Sequence, residues 1–170
     1  KPGEKVLDLG CGRGAFSYYC AARGCLVTGV DYSEDAVKLA LMAREELPAQ
    51  YKNNLRLLRM DFKDFDESEK FDVIVMADLV EHLYDPQLRE LFAKASRLLK
   101  PVTGRLIVHT APNKLFIDII FPLKRILNWP SILRKKKGFF YTRDKYSYDA
   151  AMHVNEQTPT SLKAHLKGFV

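Results

Sequence analysis

No stretch of this 170-residue chain is apolar for long enough to span a bilayer, and no secretory signal opens it. Internal repeats and low-complexity linkers are absent as well, so the length is read as one domain, residues 1–170. Cysteine is scarce. Cys11, Cys20 and Cys25 form an odd set without zinc spacing, which argues against a disulfide framework or a structural zinc site and predicts reduced thiols in a cytoplasmic protein. The first residue is Lys, not Met, and it leads at once into a strand. A piece of a longer protein is therefore expected.

Excess charge is missing from most of the chain. The net charge is +6, yet residues 114–145 alone hold nine Lys/Arg and two Asp, a net of +7. The basic pI thus belongs to one segment and is not a general affinity for polyanions.

What is present alternates in type. Strands are predicted over 5–9, 25–31, 55–61, 71–77 and 104–111. Helices are predicted over 14–23, from a Ser33 cap through Leu47, over 86–100, and over 160–170. Such alternation predicts an α/β fold: a Rossmann-like, doubly wound, mostly parallel sheet with right-handed crossovers. Residues 112–157 form a long insertion between the fifth strand and the last helix.

The stretch "VLDLGCGRGAF" carries the chemistry. Gly10, Gly12 and Gly14 follow a strand directly, where a bare backbone can turn sharply and approach a ligand. Asp31 stands at the end of the second strand, placed to accept ribose hydroxyls, and Asp61-Phe62 follows the third. The spacing is G-x-G-x-G rather than the dinucleotide G-x-G-x-x-G. Ala15 and Phe16 follow, so a Walker loop for a triphosphate is excluded. Asp8 is read as orienting the glycine loop through hydrogen bonds. Tyr18 and Tyr19 are read as packing, and Arg13 as a loop residue able to meet a carboxylate.

In this order the motifs resemble the class I S-adenosylmethionine-dependent methyltransferases. "VLDLGCGRG" is similar to that family's first motif. "FDVIVMADLVEHL", "RLLKPVTGRLIVHTAPN" and "HVNEQTPTSLKAHLKGF" resemble later segments of its small-metabolite branch, and within it the quinone-biosynthesis O-methyltransferases. The resemblance implies S-adenosylmethionine as cofactor and S-adenosylhomocysteine as product. It places Asp8, Gly10, Cys11, Gly12, Gly14, Asp31, Tyr32, Asp61, Phe62, Ala77 and Asp78 around the cofactor. Asp31 would hold the ribose, Tyr32 pack on the adenine, Asp61 accept from the adenine amino group, and Phe62 flank the ring. The loop amides would meet the cofactor's carboxylate. It also implies a helix before residue 1, and sixth and seventh strands beyond Val170.

For "DLVEH", a helix starting at Asp78 would put Asp78, Glu81 and His82 on one face. His82 could then act as general base, or the three could hold a divalent cation such as Mg²⁺. The alternative is that His82 caps or packs while Glu81 faces solvent. His109 at a strand end and His153 in a loop are secondary candidates.

Two functions are carried forward. One is methyl transfer to a small, apolar metabolite, on oxygen. The other is a non-catalytic cofactor-binding module of a larger protein. The basic insertion is read as a substrate lid or as a contact with an anionic membrane surface, which would make the protein peripheral on an inner face. Nucleic acid is ranked below both. Trp129, Phe139, Phe140 and Tyr141 interleave with Lys135, Lys136 and Lys137, but no base-reading motif accompanies them.

Overall fold

A computed structural model describes residues 1–110 and 154–169. The readings for 114–145, for most of the insertion, and for His153 lie outside those residues.

The described strands are β1 (Lys5–Leu9), β2 (Leu26–Asp31), β3 (Leu55–Arg59), β4 (Val73–Ala77) and β5 (Arg105–His109). The helices are α1 (Ala15–Ala21), α2 (Glu34–Glu45), α3 (Ala49–Lys52), α4 (Asp85–Leu98) and α5 (Pro159–Leu166). All strand pairs are parallel, in the order β3-β2-β1-β4-β5. The predicted doubly wound sheet is therefore present.

Alternation along each strand builds one core on each face. Leu7, Leu9, Ile74 and Met76 meet Leu88, Leu91, Phe92, Ala95 and Leu98 of α4. Val6, Val27, Val73 and Val75 meet Ala21 and Leu47 on the other side. Each of these Val, Leu, Ile, Met and Phe side chains, fully buried, contributes about 1.5–3 kcal/mol. α5 lies on the α4 side through Leu162 and Leu166, and Phe169 beyond its end packs there too.

Helix ends follow local chemistry. Ser33 caps α2 as predicted, its Oγ accepting from Ala36 N–H at 3.3 Å. α2 stops at Glu45, two residues short of the prediction, and the separate turn α3 follows Pro48. α5 stops at Leu166, with Gly168 at φ 110 beyond it, so 167–169 do not continue the predicted helix. No helix among the described residues is long and apolar enough to cross a membrane.

Strand order decides where a ligand can sit. β1 has β2 on one side and β4 on the other, so the chain reverses direction across the sheet between β3 and β4. A crevice at the carboxyl end of β1 follows from that reversal.

Candidate cofactor and acceptor site

The glycine loop leaves β1 at this switch point. Gly10, Gly12 and Gly14 all have positive φ, at 72, 52 and 75. At Gly12 an added Cβ would meet nothing within 4 Å, whereas at Gly14 it would lie 2.8 Å from Ala40 Cβ. The two glycines therefore differ in purpose. Gly14 lets α1 approach α2, and Gly12 leaves open space above the loop.

The expected use of the loop amides needs correction. Gly10 N–H and Cys11 N–H both donate to Val30 C=O, at 2.8 and 3.1 Å, and Gly14 N–H donates to Cys11 C=O at 2.9 Å. Gly12 N–H donates to Asp31 Oδ2 at 2.8 Å. These four amides hold the loop in shape and are not aimed at a ligand's carboxylate. Asp31 does two jobs at once, since Oδ1 accepts from Ser33 N–H at 2.8 Å. Each carboxylate oxygen accepts more than one bond, so Asp31 keeps capacity for hydroxyl donors.

Asp8 lies beneath the loop and is buried. It accepts from Ser17 Oγ of α1 at 2.6 Å. It thus braces β1 against α1, the helix that the glycine loop leads into. Burial pushes its carboxyl up to about 6, opposed by the Ser17 bond and reinforced by the charge of Asp31. Cys11 is buried beside it, and burial pushes its thiol up to about 12, which leaves it inert at neutral pH.

The Asp8 shift has a testable consequence. The folded-state pKa lies above the ordinary 3.8, so ionised Asp8 opposes folding. That cost is absent below about pH 4, grows through pH 5, and is complete above pH 6, at about 3 kcal/mol. Asp8→Asn, which keeps an acceptor for Ser17, should therefore be the more stable protein at pH 8. Urea melts should find the gap about halved at pH 5. A gap independent of pH would remove the buried charge as its cause.

Past β3, Asp61 is exposed and Phe62 is half-buried against the α4-side core. Tyr32, past β2, is 78% exposed and so open to a planar ligand. At the end of β4 Ala77 is half-buried, and Asp78 just past it is exposed.

The predicted helix over 78–82 does not form. Asp78 takes a left-handed conformation, φ 52, and a 3-10 turn spans only Val80–His82. The i, i+3, i+4 face is therefore lost. Glu81 is fully buried and does not face solvent, His82 is exposed, and Asp78 points to His109, with Oδ1 2.8 Å from Nδ1. Among the described residues no three His, Cys, Asp or Glu side chains could hold a metal ion. The set Asp78, Glu81 and His82 does not fit Mg²⁺ here, and no chemistry is derived through one.

Three contacts around the loop and the turn escape a reading by motif. The Asp78–His109 pair arises from register, since Ala77 pairs with His109 across β4 and β5. Leu79 lies over Gly10, its Cδ1 3.0 Å from where a Cβ would be. Asn155 ties the turn down: its N–H donates to Glu81 C=O, and its Nδ2 donates to Leu83 C=O and Asp85 Oδ1, all at 3.0 Å. The conjunction of Asp78 and His109 at two strand ends was the one usable signal among these.

Known proteins match this chain in sequence and in fold. The family model described as "Methyltransferase domain" matches residues 6–102. A ubiquinone biosynthesis O-methyltransferase of Coxiella burnetii is 34% identical over 108 residues, covering 64% of this chain and 44% of that protein. The Idiomarina loihiensis protein of the same name is 30% identical over 129 residues, covering 75% and 51%. The chain spans about half the length of these curated relatives. Among solved structures, a magnesium protoporphyrin IX methyltransferase of Synechocystis with bound SAH superposes with a TM-score of 0.67. It covers 99% of this chain and 64% of its own, at 22% identity, a likeness of fold.

Proposed function

This chain belongs to the methyltransferase-domain family, and on that premise we propose that it binds S-adenosylmethionine and transfers its methyl group to a hydroxyl of a small, apolar acceptor. The observation that carries the proposal is the joint held by Asp31. Its carboxylate fastens the glycine loop through Gly12 while standing at the carboxyl end of β2, beside the switch point. A loop so fastened presents a preformed cradle, and preformed cradles cost less ordering on binding. The ubiquinone O-methyltransferase names of the relatives support a ring hydroxyl as acceptor.

Residues take roles by position. Gly12 admits the donor, Asp31 accepts from its ribose, Tyr32 and Phe62 flank its adenine, and Asp61 accepts from the adenine amino group. S-adenosylmethionine supplies an activated methyl group when bound. The protein's part is then approach and alignment, with one proton to remove from the acceptor. His82, exposed past β4, takes that proton. Asp78 and His109 fix the end of β4 against β5 next to it.

The proposal is tested by titrating the full-length protein with S-adenosylhomocysteine and following radiolabelled methyl transfer to catechol-type rings. Asp31→Ala should weaken binding by about 1–3 kcal/mol, because the hydroxyls lose a charged acceptor and Gly12 N–H loses its anchor. An unchanged dissociation constant would remove Asp31 from the site. Tight binding with no transfer to any acceptor would favour the non-catalytic module.

A further inference from the structure

Lys94 is a charged side chain in an apolar place. It belongs to α4, is 8% exposed, and shares its helix with the buried Leu91, Phe92, Ala95 and Leu98. Among the described residues no carboxylate pairs with it. Its ammonium donates instead to two backbone carbonyls, those of Lys63 and, at 2.7 Å, Phe65. Burying an ammonium is costly unless its donors are used. A methionine would fill the same space without that cost. The use of the charge therefore lies in what it holds.

What it holds is the segment after β3. Asp61 Oδ1 accepts from Lys63 N–H at 2.9 Å, and Asp64 N–H donates to Asp61 C=O at 3.0 Å, so 61–64 closes as a turn. One end is fixed to the sheet, where Met60 N–H donates to Asp31 C=O at 2.9 Å. The other end is plugged by buried Phe65, stacked at a tilt 6.3 Å from Phe71. Between these anchors the exposed Lys63–Glu90 pair, at 3.9 Å, adds little. Lys94 is the interior tie.

We infer that Lys94 is a positioning residue for recognition of the donor's nucleobase: through the carbonyls of Lys63 and Phe65 it holds the turn that aims Asp61 at the adenine amino group. The inference rests on the methyl-donor reading above and extends it to a residue 33 positions away on another element. The chemistry is selective. A carboxylate accepts from a 6-amino group and repels a 6-oxo group. Lys94 is thereby a determinant of adenine over hypoxanthine, without touching either.

The experiment compares S-adenosylhomocysteine with S-inosylhomocysteine by calorimetry in the full-length protein. The unsubstituted protein should prefer the adenine compound by about ten-fold or more. In Lys94→Met that preference should fall to roughly two-fold or less, mainly through weaker binding of the adenine compound. Lys94→Gln, which retains a donor for one carbonyl, should lie between. Thermal melts establish that each variant is folded. A folded variant that keeps the full preference overturns the inference, and so does loss of the fold in both variants, which would make Lys94 a core residue only. Failure of the unsubstituted protein to bind S-adenosylhomocysteine would overturn the methyl-donor reading as well. Equal binding of the two compounds by that protein would overturn only the role of Asp61 and Lys94.

Discussion

Gly12→Val should raise the dissociation constant for S-adenosylhomocysteine by about a hundred-fold or more while the sheet still folds. Space and strain separate this position from its neighbour. At Gly12 nothing lies within 4 Å of an added Cβ, so the protein itself tolerates the bulk. The remaining penalty is the left-handed backbone, φ 52, at roughly 1–2 kcal/mol. The valine methyls would then stand in the space above the loop, where the proposal puts the donor. Gly14→Val is the control. Its Cβ would lie 2.8 Å from Ala40 Cβ and 3.3 Å from Ala40 Cα, so α1 and α2 must separate. That variant should lose the fold along with binding. Circular dichroism and calorimetry on the pair distinguish a blocked site from a broken scaffold. Normal binding by Gly12→Val would place the donor elsewhere.

His82→Ala should lower kcat by about a hundred-fold or more, the usual scale of a lost general base, and leave donor affinity within about two-fold. The residue sits on a three-residue turn past β4, exposed, whereas its neighbour Glu81 is wholly inside. Rates with acceptors of lower hydroxyl pKa should fall less, since their proton leaves more readily. Turnover unaffected by the substitution would leave alignment alone as the source of the rate.

How much of this was legible before the structure differs by element. Strand β1 and its glycines could be read because the signal is local: an apolar run, an acid, then glycine at every second position. Asp31 was legible for the same reason, as an acid ending an apolar strand. The 78–82 segment was misread because helix spacing was the template, and nothing in "DLVEH" announces that a non-glycine residue will turn left-handed. Its clue lay in another strand, since Asp78 N–H donates to His109 C=O at 2.9 Å. Asp8 was seen as an acid near the loop, but its bond to Ser17 depends on which face of α1 meets β1. Lys94 was invisible because a lysine flanking an apolar helix stripe reads as solvated. Only the position of two carbonyls from the 61–65 turn makes its burial tolerable.

The bonds made by Asn155 have a meaning for how the fold tolerates change. Asn155 Nδ2 reaches Leu83 C=O across 72 positions of sequence, and His109 reaches Asp78 across 31. Both contacts land on the few residues that follow β4. Whatever the chain does between them, it departs from and returns to one place. The cost of closing such an excursion grows only with the logarithm of its length, about 0.6 kcal/mol for each doubling. The sheet is thus insulated from the size and composition of that excursion. Lengthening or shortening it would leave these two anchors and the pairing of β4 with β5 in place. The few residues that follow β4 thus hold both ends of that excursion, and under the methyl-donor proposal they are also the place of transfer.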